Sequence, residues 1–149
     1  MVDRRQFVCA LSSYAVAQMF PATAWAQSDP FAPLIARFAG GAPVRHGRVT
    51  LETPLLADNG NAVALRISVD SAMSAADHVQ RIILLSEKNP RPVIATFHLN
   101  PRAGRALIAT RVRLNGAQRL MAVAQLADGT FWSGSADVIV TSTACWDET

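Results

Sequence analysis

The chain has 149 residues, 50% of them hydrophobic, two cysteines and a formal net charge of +3. The excess positive charge comes from scattered arginines with no basic run, which argues against nucleic acid as a partner. The length suits one domain with a real core once an export signal is set aside.

That signal is read in residues 1–26. Arg4-Arg5-Gln6-Phe7 is a twin-arginine pair, an apolar stretch covers 8–20, and Ala24-Trp25-Ala26 offers small residues for cleavage. The expected location is therefore the periplasm, by a twin-arginine-type route. The apolar run is too short to span a bilayer, which takes about 20 residues, so no membrane role is expected. The exported chain then starts near Gln27 and keeps a single cysteine, Cys145. An odd cysteine in an oxidising compartment points to a reactive thiol or to intermolecular pairing.

Residues 27–47 form an N-terminal segment with a short helix. Phe31, Leu34, Ile35 and Phe38 make one apolar stripe. Asp29 is placed to cap it, Pro30 suits its first turn, and Gly40-Gly41 ends it. The stripe is expected to pack on its own domain.

Residues 48–141 read as strands and turns. A first strand is predicted over 48–53. Ala57-Asp58-Asn59-Gly60 reads as a turn in which Asn-Gly supplies positive-φ positions. The clean alternation of Val63, Leu65, Ile67 and Val69 predicts a half-buried strand over 62–69. Residues 79–86 are apolar on both faces and predict a central strand. Strands at 93–99 and 106–114 follow, and Asn115-Gly116 reads as a tight hairpin turn. A strand at 119–126 continues through a further hairpin at Asp128-Gly129, and Phe131-Trp132 with 136–141 completes the set. The fold class is all-β: an immunoglobulin-like β-sandwich with a short N-terminal helix and a C-terminal arm over 142–149.

No catalytic cluster stands out. His46, His78 and His98 lack metal-ligand spacing, and C-x-x-C, G-x-S-x-G and phosphate-loop motifs are absent. No cofactor is expected. Arg102, Arg105, Arg111 and Arg113 read as a local positive patch, either a solvated face or a docking surface for acidic groups. The arm carries the remaining chemistry. Beyond Thr141, extended chain at about 3.3–3.6 Å per residue can hold the Cys145 thiol roughly 10 Å from the sandwich. Asp147 and Glu148 do not lower its pKa, so activation is expected to come from a partner.

Several motifs together resemble the SoxY family of sulfur-compound carriers. They are Ala57-Asp58-Asn59-Gly60, Glu87-Lys88-Asn89-Pro90, Phe97-His98 with Pro101-Arg102-Ala103-Gly104, Thr110-Arg111-Val112-Arg113-Leu114 and Asp128-Gly129-Thr130-Phe131-Trp132-Ser133. The resemblance implies a non-enzymatic carrier that holds a sulfur intermediate covalently on Cys145 and presents it to Sox-type sulfur-transferring or oxidising enzymes. It also implies a heterodimer with a SoxZ-like β-sandwich subunit. Ala144 and Trp146 flank the thiol and are the residues a client enzyme would read. The family's glycine-rich arm ends in Gly-Gly-Cys-Gly-Gly, whereas this one reads Ala144-Cys145-Trp146-Asp147, closer to a subgroup ending in Ala-Ala-Cys-Ile-Glu. The cargo is left open between thiosulfate and other sulfur compounds. The competing reading is a non-catalytic immunoglobulin-like binding module that pairs with a SoxZ-like subunit, its cysteine incidental or in an intersubunit disulfide.

Overall fold

Apolar residues at every second position put one face of a strand in the core. Strand β4 (Val63–Val69) follows this rule, with Val63, Leu65, Ile67 and Val69 all buried. A computed structural model of the chain describes residues 29–142. Within them, nine strands form two sheets. The strands are β1 (Val44–His46), β2 (Val49–Glu52), β3 (Leu56–Ala57), β4, β5 (Val79–Ser86), β6 (Val93–His98), β7 (Leu107–Val112), β8 (Gln118–Leu126) and β9 (Phe131–Val140). Six of them lie along or beside the order β1-β9-β8-β5-β6, with β3 also pairing β9, and three form the sheet β2-β4-β7.

The main core lies between the sheets. Ile82 and Leu84 of β5, Leu120, Ala122 and Ala124 of β8 and Val138 of β9 meet the inward row of β4. The alternate residues of the central strands, Ile83, Leu85, Met121 and Val123, face the other way. They are buried as well, because helix α1 (Ala32–Ala39) covers them with Phe31 in a second cluster that Leu34, Ile35 and Phe38 complete. This explains the double-sided apolarity of 79–86: β5 is a middle strand of a middle layer. The helix is further held by stacked cations, with Arg119 5.0 Å above Phe31 and Arg81 4.8 Å above Phe38. The helix starts later than its sequence signals imply: Phe31 is the N-cap with no side-chain cap bond, Pro33 lies in the first turn, and Asp29 instead accepts from the Phe31 amide at 3.2 Å and from Arg119 at 2.8 Å, while Gly40 closes the helix in the left-handed conformation.

Three turn assignments differ in kind. Asn59-Gly60 is not a positive-φ turn. Asn59 is extended, and its side chain caps a short 3₁₀ turn, Gly60–Ala62, by accepting from the Asn61 amide. Asn115-Gly116 turns with positive φ at Gly116, yet it joins no hairpin. The strands on either side belong to different sheets: β7 pairs with β4, and β8 pairs with β5 and β9. The Asp128-Gly129 hairpin is real, with Gly129 at φ 80°. The last two predicted pieces are one continuous ten-residue strand, β9.

A polar knot fixes the 86–90 turn against the 113–118 connection. Asn89 donates to the Arg113 carbonyl at 2.8 Å and accepts from the Asn115 amide and from Gln118. Ser86 donates its hydroxyl to Gln118, which also accepts from the Lys88 amide. Ser86, Asn89 and Gln118 are buried, and every one of these groups finds a partner.

Candidate functional site

The region of interest is where β9 ends. Strand β9 is flanked by three others: β8 antiparallel along most of its length, β1 parallel at its start and β3 parallel at its end. The β3 ladder pairs Leu56 with Ile139 and Ala57 with Val140. Beyond it, the Thr141 amide donates to the Ala57 carbonyl at 3.0 Å and the Thr141 hydroxyl to the Asp58 carbonyl at 3.1 Å. Ser142 is then held by the Gly60 amide, 2.8 Å from its carbonyl oxygen. Gly60 is itself fixed, because its carbonyl accepts from the Leu114 amide at 2.7 Å. The 3₁₀ turn capped by Asn59 thus acts as a bracket that clamps the chain up to Ser142. Ala144, Cys145 and Trp146 lie outside the described residues, as do residues 1–26, read above as an export signal.

Two surfaces adjoin this bracket. Leu55, Leu56 and Ile139 are 69%, 57% and 50% exposed and sit side by side through the β3–β9 ladder. A shallow groove of about 710 Å³ lies on the outer face of the three-stranded sheet, lined by Glu52, Pro54, Ala64, Arg66, Ala109 and Arg111 among others.

The four arginines of the predicted patch do not come together. Arg102 belongs to a 3₁₀ turn, Pro101–Ala103, and Arg105 follows it before the start of β7; Arg111 and Arg113 lie at that strand's far end. Six strand residues at about 3.3 Å each separate the pairs by roughly 20 Å. Arg66 is the more relevant neighbour of Arg111. It stands diagonally across the β4–β7 ladder, and only the pairing of β7 with β4 reveals it.

Among the described residues, no three His, Cys, Asp or Glu side chains gather into a metal-binding group. His46 Nδ1 lies 3.3 Å from the Ser133 hydroxyl and His78 Nδ1 3.1 Å from the Ser74 carbonyl oxygen. Asp128 has its pKa pulled below the ordinary carboxylate value, first by the Thr130 hydroxyl and then by the Thr130 amide, both of which donate to it. This belongs to the β8–β9 hairpin. Trp132 extends the chain of bonds by donating to Thr130 at 3.0 Å, while Arg45 and Arg48 stand 5.6 and 5.7 Å from its ring centre.

The family model described as sulfur oxidation protein SoxY matches residues 35–145. The chain belongs to the SoxY family. The match covers most of the chain and its last residue is Cys145. The fold agrees. The sulfur carrier protein SoxY from Chlorobium limicola f thiosulfatophilum superposes with a TM-score of 0.62 at 23% identity, over 75% of this chain and 96% of that one. Superoxide reductase (neelaredoxin) from Ignicoccus hospitalis superposes at 0.55 with 17% identity, over 63% and 80%. Superoxide reductase from Nanoarchaeum equitans does so at 0.54 with 13% identity, over 64% and 100%. These likenesses are of fold alone. No curated protein matches the chain. Membership of the SoxY family makes it a sulfur carrier of sulfur oxidation, a protein that works with other members of the Sox system.

Proposed function

We propose that this SoxY-family chain carries its sulfur compound covalently on Cys145, in the periplasm, and presents it to partner enzymes on the segment beyond Ser142. The observation that supports this most is the bracket. The chain is clamped to the sandwich as far as Ser142, and Cys145 follows three residues later, inside the stretch that matches the family. Three residues span up to about 10 Å at full extension, so the thiol can reach that far from Ser142. Joining the Cys145 thiolate to a terminal sulfur anion as a disulfide releases two electrons, and the thiol gives up its proton first. A redox partner takes those electrons, so turnover belongs to the assembly and not to this chain alone.

The partner subunit we infer is a SoxZ-like β-sandwich. Strands β6 and β7 end their sheets and leave unpaired edges. Val93 and Leu107 are exposed there, with Ile94, Phe97 and Ile108 half-buried behind them. Export through the twin-arginine route follows from Arg4 and Arg5. Changing both to Lys should hold the precursor inside the cell; normal secretion of that variant would remove the route.

The test of the carrier reading is the intact mass of the chain isolated from cells that oxidise sulfur compounds. A mass increment that reductant removes, and that Cys145→Ser lacks, is the expected result. An unmodified mass under active turnover would overturn the reading in favour of a binding module with an incidental cysteine.

A further inference from the structure

The groove beside the bracket has an ordered pattern of charge and space. In the β4–β7 ladder Ala64 stands opposite Arg111, and Arg66 opposite Ala109. Two methyl groups and two guanidiniums therefore alternate across the outer face, leaving a floor between the arginines. Arg66 touches Glu52 at 3.9 Å, with both side chains largely in water. Arg111 makes no ion pair among the described residues. Pro54 closes one wall and leads directly into the exposed Leu55 and Leu56. This face is cationic and apolar at once, and it belongs to the sheet whose strand β4 starts directly after the 3₁₀ turn that holds Ser142.

We propose that the groove is the resting dock of the chain's own C-terminal segment, residues 143–148. The Trp146 indole lies on the floor made by Ala64 and Ala109, and Asp147 and Glu148 face Arg111 and Arg66. The reach is sufficient. From Gly60, which holds Ser142, the 3₁₀ turn rises about 2 Å per residue and β4 about 3.3 Å, so Arg66 lies at most about 16 Å away. Asp147 is five residues past Ser142 and can extend about 17 Å. The charges are complementary, and an indole between two guanidiniums gains from stacking. Docking would draw Cys145 in against the body of the protein between deliveries. A client enzyme would then compete for Trp146, Asp147 and Glu148. The dock does not depend on the cargo and would stand even if Cys145 carried nothing.

Amide proton–nitrogen spectra of the exported chain test this directly. The doubly neutralised variant Asp147→Asn with Glu148→Gln should move the signals of Ala64, Arg66, Ala109 and Arg111 away from wild-type positions. Trp146→Gly should move the same set, and about 0.5 M salt should shift the wild type towards the neutralised variant. Arg111→Glu should in turn move the signals of Ala144, Cys145 and Trp146. Changes confined to Thr141 and Ser142 would overturn the proposal. So would shifts at the groove that grow with protein concentration, since these would mean that the tail of a second copy is the occupant. Cys145→Ser should leave all four groove signals in place, which separates this dock from the carrier reading.

Discussion

Gly134 in β9 lies directly against the carbonyl of Val49 in β2, so a methyl group at position 134 would overlap the Val49 oxygen. Here a strand of one sheet packs backbone to backbone on a strand of the other. Gly134→Ala must push β2 from β9, and overpacking of this kind costs about 1–3 kcal/mol. Urea denaturation should show a loss at the upper end of that range. A change below about 0.5 kcal/mol would mean that β2 yields freely.

Asn89 serves three groups at once: the Arg113 carbonyl, the Asn115 amide and the Gln118 side chain. Asn89→Ala leaves buried polar atoms without partners, which costs about 1–3 kcal/mol. Asn89→Asp keeps the acceptor but buries a carboxylate oxygen against the Arg113 carbonyl, so it should cost at least as much as Asn89→Ala near neutral pH. Thermal melts of the three proteins check the order.

Asp128 ties the β8–β9 hairpin through Thr130, and its pKa is lowered in the folded state. A depressed carboxylate stabilises the fold above its unfolded pKa of about 3.9, and that contribution disappears as pH falls through the lower folded value. Asp128→Asn should therefore reduce the pH dependence of stability below about pH 4 while leaving the slope near neutrality unchanged. Denaturation curves at a series of acid pH values measure it. An unchanged acid slope would show that Thr130 holds the charge no better than water does.

Cys145→Ser should lower stability by no more than about 0.5 kcal/mol, because Cys145 lies five residues past Val140, where β9 ends. Assembly with the partner subunit should also persist under reductant. A large loss of melting temperature would place the cysteine in the core and remove the carrier reading.

The features legible in the sequence are those where one side chain pattern decides one face. The β4 alternation, the α1 stripe and the Asp128-Gly129 hairpin are of this kind. Strands β1 and β3 were not legible. They have three and two residues, too few for a period, and both exist because β9 offers parallel edges at its two ends. Asn115-Gly116 announces a turn but cannot say which sheet receives the next strand. The bracket at Gly60 is hidden in the sequence for a similar reason: Asn-Gly reads as a hairpin corner, whereas here Asn59 caps and the Gly60 amide clamps Ser142. The Arg66–Arg111 diagonal depends on register between strands more than 40 residues apart, which no local pattern contains.

The three-strand flanking of β9 also determines how the molecule answers a pull. Tension on the segment after Ser142 runs along the axis of β9, parallel to the ladders with β8, β1 and β3. Those hydrogen bonds share the force in shear and must slide together, instead of peeling apart one at a time as at the open end of a hairpin. A load applied at Ser142 therefore meets three ladders at once before β9 can be drawn out of the sandwich.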